Sequence, residues 1–368
     1  MRIGIDARLW SEEHAGLSRY VRELVSNLAQ IDSKNQYFLF LPKKFLKIKL
    51  PPNFKKIAAD FPIYSIAEQT KFLKLINQYQ LDLFHFTAFN HPVFYKKPCV
   101  ITVHDLIIFL FPSKQKKSFF HRAVARIILL SALGKAKKII VPSNSTKNDL
   151  VKYFKADPAK IVPIYHGVPK QFYPRSKEEI EKFLAQKKIL PPFLLYIGQW
   201  RPHKNLVNLI LAFNLARAKV PFKLVLGGKP DYQPVLDQIK KSPFKNDIKI
   251  LGFVKDEELP LWYAGALAFI FPSLAEGFGY PVLEAAAVGT PVLASNATSL
   301  PEVLGEAGFY FNPKNPAEIA DCMVQILKDS ELRKELAQKS LKQAKKFSFK
   351  KMAQKTLSVY QEVCQLGL

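Results

Sequence analysis

Short apolar runs of strand length alternate with helical segments along this chain, and the alternation starts twice. Residues 2–6 read as a buried strand, and residues 19–29 place Tyr20, Leu24, Val25 and Leu28 on one helical side. Further strand-length runs fall at 37–41, 83–86, 100–103 and 139–141. Composition then shifts over residues 163–192, which hold PIYHGVPKQFYP, a charged helical stretch and Pro191–Pro192. From Phe193 the pattern restarts, with strands at 193–197, 222–226, 248–251, 267–271, 291–294 and 309–311. Helical runs at 204–218, 281–288 and 316–327 separate several of them, and a largely helical tail follows from about 330 to 361. Strands interleaved with helices imply parallel sheets covered on both faces. In such sheets ligands sit beyond the carboxyl ends of the strands. His104, Asp105 and Ser143 occupy positions of that kind. The pattern therefore predicts an α/β protein of two Rossmann-like halves facing one another.

Composition narrows the function classes. A chain of 368 residues suits two domains, and 48% hydrophobic with 12% aromatic residues supplies cores that a disordered chain lacks. Cys99, Cys322 and Cys364 match neither a disulfide framework nor a zinc spacing. The N-terminal MRIGIDARLW lacks the apolar core of a signal peptide, and no long uncharged apolar run occurs. The expectation is a cytoplasmic protein, compatible with peripheral contact on the inner membrane face. A formal net charge of +25 favours anionic partners: phosphates, acidic lipid surfaces or nucleic acid. A merely basic, solvated surface is the alternative.

The segment PSLAEGFGYPVLEAAAVGTPVLAS, residues 272–295, combines the most chemistry. A tight Gly277–Phe278–Gly279 turn leads into a helix with Pro281 in its first turn. The helix N-terminus offers unpaired N–H groups and a positive dipole end, suited to a diphosphate. Glu276 precedes the turn and Glu284 follows within the helix, where a carboxylate needs a hydroxyl or cationic partner. Ribose hydroxyls fit; so do a solvated loop acid at 276 and a structural cap or ion pair at 284. Arg201, His203 and Lys204 are expected to open the helix at 204–218, against its dipole, which makes sense where an anion binds. The loop His14–Ser18, with its single Gly16, would let backbone N–H groups approach a phosphate; it matches neither the G-x-G-x-x-G nor the Walker pattern. His104 can meet a sugar hydroxyl or serve as a hydrogen-bonded structural residue, and His166–Gly167 sits where a hinge is as well placed as a ligand contact. No metal-binding signature or nucleophile elbow occurs, so arginine, lysine and helix dipoles are left to stabilise a departing diphosphate.

On these residues the chain resembles the family-4 retaining glycosyltransferases of GT-B fold, over nearly its whole length. AEGFGYPVLEAAAVGTPV matches the family's E-x7-E pattern at Glu276 and Glu284, and the Arg–Lys pair matches Arg201 and Lys204. HAGLSRY matches the N-terminal Gly-rich loop at Gly16, with one glycine where many members have two. The resemblance implies a donor site of Gly16, Arg201, Lys204, Glu276, Gly277, Phe278, Gly279 and Glu284. Glu276 would contact the donor sugar, Glu284 the nucleotide ribose, and Arg201 with Lys204 the diphosphate. His104 matches a histidine implicated in catalysis beside Glu276, Arg201 and Lys204. It further implies transfer with retention by front-face attack, no metal, and no cofactor beyond the nucleotide-sugar co-substrate. ITVHDL, IIVPSNSTKNDL and SLPEVLGEAGFYFNP are most like bacterial mannosyltransferase-type members, which implies GDP-mannose; a UDP- or dTDP-sugar is the alternative. The implied layout is an acceptor domain at 1–170, a donor domain at 171–346 facing it across a cleft, and a helix at 347–368 crossing back.

The resemblance assigns the acceptor to the N-terminal domain. KKFLKIKL and FLFPSKQKKSFFHRAVARIILLSALGKAKK interleave basic and apolar residues, which suits a basic rim meeting anionic headgroups and a saccharide or lipid-linked saccharide acceptor. Ordinary core elements with exposed lysines fit equally. A nucleic-acid binder would account for the charge but shows no fold signature and leaves Glu276 and Glu284 idle, so nucleic acid is not expected. An epimerase, a phosphorylase-like enzyme and a sugar-nucleotide binder without turnover complete the alternatives. Oligomeric state is not legible.

Overall fold

The computed structural model describes residues 1–11, 15–111 and 116–365. The chain divides into two compact units, Met1–Gly167 with Ser348–Leu368, and Val168–Phe347. The first contains β1 (Arg2–Asp6), β2 (Gln36–Leu41), β3 (Phe54–Ala58), β4 (Leu83–Phe86), β5 (Cys99–Thr102), β6 (Lys138–Val141) and β7 (Ile161–Pro163). They form one sheet in the order β3-β2-β1-β4-β5-β6-β7, with every pairing parallel. The second unit holds β8 (Phe193–Ile197), β9 (Lys223–Gly227), β10 (Ile248–Gly252), β11 (Ala268–Phe271), β12 (Val292–Ser295) and β13 (Gly308–Phe311). Its parallel order is β10-β9-β8-β11-β12-β13. Each sheet thus reverses its winding once, at β1/β4 and at β8/β11, and leaves a crevice beyond the strand ends there.

Burial on both faces explains the apolar strands. Phe40, Phe72, Phe84 and Phe86 are fully buried in the first core, each ring contributing about 1.5–3 kcal/mol over an exposed position. The helix Ala15–Ile31 buries Tyr20, Val21, Leu24, Val25 and Leu28. It begins four residues before position 19, so Gly16 lies exposed in its first turn and not in a preceding loop. The amphipathic run is long enough to carry a glycine whose helical cost is only about 1 kcal/mol. His14 lies outside the described residues.

The helix Phe349–Gln365 belongs to the first unit and packs against Ala15–Ile31. A buried polar chain fastens it. The Tyr360 hydroxyl lies 2.6 Å from His85 Nδ1, Thr102 Oγ1 lies 2.8 Å from His85 Nε2, and the Tyr20 hydroxyl lies 3.0 Å from Thr102 Oγ1. A neutral imidazole donates from one nitrogen and accepts at the other, so both of its ends are satisfied. Gly167, the last residue before the second unit, packs against this helix's start. A Cβ there would fall 2.1 Å from Phe349 N, so only glycine fits.

Candidate functional site

In the second unit the loops after β8 and β11 meet at the winding reversal. Arg201 precedes a single 3₁₀ turn, Pro202–Lys204, and the α-helix itself starts at Leu206. The basic residues therefore lie in the turn before the helix, one step earlier than expected, because Asn205 adopts φ +62° and breaks the run. That asparagine earns its strained backbone: its Nδ2 donates to Pro272 O at 3.1 Å and Pro313 O at 2.7 Å, tying three loops together. Leu274 N donates to His203 O at 2.7 Å and joins the same loops.

Lys204 Nζ and Glu276 Oε1 are 2.5 Å apart, with side chains 12% and 10% exposed. The ammonium also lies 5.1 Å from the Phe271 ring centroid. Glu276 is thus an ion-paired acid at the strand end and not a solvated loop acid. Its N–H donates to Thr298 Oγ1 at 2.9 Å, and Thr298 itself sits at φ +51°. Arg201 Nη1 reaches Asp231 Oδ1 at 3.1 Å, with both groups substantially exposed. Burial, and then the neighbouring Lys204 charge, lower His203 to about 4, so it is neutral at pH 7.

The Gly277–Phe278–Gly279 turn leads into the helix Tyr280–Ala287, with Pro281 in its first turn. Gly279 has φ +96°, and a Cβ there would meet Leu300 Cδ2 at 2.7 Å, so glycine is required twice over. Ser299 Oγ lies 3.0 Å from Glu276 O and 3.1 Å from Phe278 O, which clamps the turn. The Phe278 ring is buried, edge-on to Phe347 at 5.9 Å, so only backbone is left there to meet a ligand. Glu284 is 3% exposed and accepts a hydrogen bond from the Tyr263 hydroxyl at 3.0 Å. That hydroxyl is the partner a buried carboxylate requires. Asp231, Tyr263, Thr298, Ser299 and Asn205 escaped the sequence reading, since each acts on a group far along the chain.

In the first unit His104 follows β5, and its Nε2 lies 2.8 Å from Thr87 O. A carbonyl only accepts, so Nε2 carries the proton and Nδ1 presents a lone pair. Burial lowers this histidine to about 4. Tyr20 stands edge-on to its ring at 4.8 Å and His166 at 5.9 Å. Asp105 turns away, its Oδ1 accepting from Ile107 N at 2.9 Å. Ser143 is the N-cap of the helix Asn144–Phe154. Gly16 and His104 belong to the first unit, and Arg201, Lys204, Glu276, Gly277, Phe278, Gly279 and Glu284 to the second. Among the described residues no cluster of three His, Cys, Asp or Glu is arranged to hold a metal ion.

The winding reversal of the first unit carries an ionic cluster that the sequence reading also missed. Arg8 grips Asp6 through Nε at 2.9 Å and Nη2 at 2.7 Å, and Glu68 through Nη2 at 2.7 Å. Its guanidinium covers the Phe72 ring at 3.8 Å. Glu68 also accepts from Asn90 Nδ2 at 3.2 Å and from the N–H of Tyr64, which has φ +58°.

The model for "Glycosyltransferase Family 4" matches residues 14–172, and that for "Glycosyl transferases group 1" matches 176–343. O-antigen chain mannosyltransferase B of Escherichia coli is 33% identical over 71% of this chain and 69% of its own length. O-antigen chain mannosyltransferase RfbU of Salmonella typhimurium is 31% identical over 58% of this chain and 56% of its own, a little over half of that relative. Among solved structures, sucrose-phosphate synthase from Thermosynechococcus elongatus superposes with a TM-score of 0.78 over 99% of each chain at 20% identity, which is a likeness of fold.

Proposed function

Because the chain belongs to the family-4 glycosyltransferases, with their GT-B fold, we propose that it moves a mannosyl unit from GDP-mannose to a saccharide or lipid-linked saccharide acceptor during glycan synthesis. The observation that carries the reading is the Lys204–Glu276 pair at the β8/β11 reversal, beside Arg201 and the N-terminus of the helix Tyr280–Ala287. Cations, helix N–H groups and a carboxylate converge where an α/β sheet binds its ligand. The two O-antigen mannosyltransferases support the sugar and the class of product.

In this reading Arg201 and Lys204 take the diphosphate, and the backbone at Gly277–Gly279 and the helix end add N–H groups. Glu276 keeps Lys204 in position and accepts from a donor-sugar hydroxyl. Glu284, held by Tyr263, takes the ribose. In the first unit, His104 Nδ1 presents a lone pair that can accept from a hydroxyl. The acceptor oxygen attacks the anomeric carbon from the side on which the phosphate leaves. The carbon–oxygen bond to the phosphate breaks, and the acceptor's proton passes to the departing phosphate oxygen. Configuration is then retained without a protein base. Charge on the departing diphosphate is met by fixed cations and dipoles, so no metal is required.

A transfer assay tests this. The full-length protein is offered GDP-mannose, UDP-glucose or dTDP-rhamnose with a lipid-linked saccharide acceptor in EDTA, and the product linkage is assigned by NMR. Transfer from GDP-mannose with an α linkage is expected. Transfer only from another donor, an inverted linkage, or dependence on added metal each overturns the corresponding part.

A further inference from the structure

The ionic cluster at Arg8 is joined to His104 through one loop, residues 87–93, which follows β4. Thr87 and Asn90 are both buried. Thr87 Oγ1 donates to Asp6 O at 2.6 Å, and Asn90 Nδ2 donates to Glu68 Oε1 at 3.2 Å. Gln69, beside Glu68 in the π-helical turn, donates from Nε2 to His91 O at 3.1 Å. Its Oε1 accepts from Val93 N at 2.8 Å. Arg8 holds Asp6 and Glu68 together. The stretch from Thr87 to Asn90 is therefore tied at both ends to residues gripped by a single guanidinium.

This loop presents the carbonyl that His104 uses. Thr87 O accepts from His104 Nε2–H at 2.8 Å. Which nitrogen of a neutral imidazole keeps the proton is set by the partner it finds. A carbonyl held in place selects the Nε2–H form and leaves the lone pair on Nδ1. A carbonyl displaced by about 1 Å loses that bond and the selection with it. The ring also meets Tyr20 edge-on at 4.8 Å, and the Tyr20 hydroxyl lies 3.0 Å from Thr102 Oγ1.

We propose that Asp6, Arg8, Glu68, Thr87 and Asn90 form a positioning frame for His104: they fix the Thr87 carbonyl, and the carbonyl fixes the imidazole with its proton on Nε2. Every member belongs to the first unit. Replacing a buried ion cluster by apolar residues of equal volume is often neutral for stability. What this cluster supplies is geometry. The kinetic consequence rests on the mannosyl-transfer reading; the tautomer does not.

Long-range proton–nitrogen NMR spectra of the full-length protein read the tautomer, with His104→Gln assigning the signal. T87V, N90A and T87V/N90A keep Asp6, Arg8 and Glu68 while releasing one or both ends of the stretch. Wild-type His104 is expected wholly in the Nε2–H form, and the double variant as a mixture of both tautomers. Its kcat for transfer from GDP-mannose should fall about tenfold or more, with the donor KM within about twofold of wild type. Each single variant should fall between. Tyr37→Phe is the control, since it removes a buried hydrogen bond of 2.5 Å to Asp32 at the opposite strand ends. It should move neither readout. The proposal is overturned if wild type lacks the Nε2–H form, if the double variant keeps the wild-type signal, or if Tyr37→Phe shifts it as far. A wild type without turnover, whose double variant still loses the tautomer, would sink the transfer reading and leave the frame standing.

Discussion

The two winding reversals invite comparison because the sheets around them are wound alike. At β8/β11 the ion pair Lys204–Glu276 keeps about a tenth of each side chain open to solvent, and exposed Arg201 stands nearby. At β1/β4 the Arg8 side chain is 2% exposed, with Asp6 at 7% and Glu68 at 0%. One crevice presents its charges, and the other consumes them internally to hold the loop containing Tyr64 and the strand end at Asp6. The difference extends outward. The first unit carries thirty Lys and Arg against twelve Asp and Glu, the second twenty-five against eighteen. The same α/β layout thus leaves ion-paired side chains partly open to solvent at the reversal in one unit. In the other it supports a broad basic surface over a sealed polar interior.

The sharpest way to break this contrast is to open the sealed cluster. Arg8→Ala leaves two carboxylates buried without their cation and should cost about 3–5 kcal/mol in urea unfolding. A loss below 1 kcal/mol would mean the cluster is solvated and the two reversals are alike. Next comes Glu276→Gln, which should lower kcat about 10²–10³-fold with little change in melting temperature. A large stability loss with unchanged kcat would make this pair structural, like its counterpart.

Acid offers a third contrast. Burial lowers His85 to about 3, His91 and His104 to about 4, and His166 well below its ordinary value, all in the first unit; only His203, lowered to about 4, has a shift of this kind in the second. Each is neutral when folded and protonates more readily when unfolded. The unfolded chain therefore binds more protons, and stability present above about pH 6.5 is lost as pH falls toward the folded values. Each fully buried histidine contributes up to about 2 kcal/mol of destabilisation at pH 5. Hydrogen exchange should show first-unit amides losing protection before second-unit amides; the reverse order would contradict the burial argument. The smallest expected effect is Tyr360→Phe, about 1–3 kcal/mol, because His85 Nδ1 loses its only described partner. Exchange should rise first along Phe349–Gln365.

Much of this was legible from residues. The central strands announced themselves as apolar runs because both faces are covered, whereas the edges did not. β3 (FKKIA) exposes both lysines, and β7 is three residues closed by Pro163, so each looks like loop or basic tract. Lysine and proline are what protected edge strands carry. Arg201, Lys204, Glu276 and Glu284 were identifiable because a dense local pattern surrounds them. What they touch was not, since Lys204 and Glu276 are 72 residues apart in the chain. Asp6, Arg8 and Glu68 had no local pattern at all: only the π-helical turn Glu68–Phe72 brings the third member into place.

If the open reversal of the second unit is the donor site, removing its cations removes nucleotide binding. Isothermal titration of GDP, UDP and dTDP into wild type and into R201A/K204A, in EDTA, tests it most directly. Wild type should bind GDP selectively, and the double variant should lose at least about 100-fold in affinity, as follows from removing two charge-assisted contacts. Unchanged GDP affinity in a folded double variant, or no nucleotide binding by wild type, would contradict it.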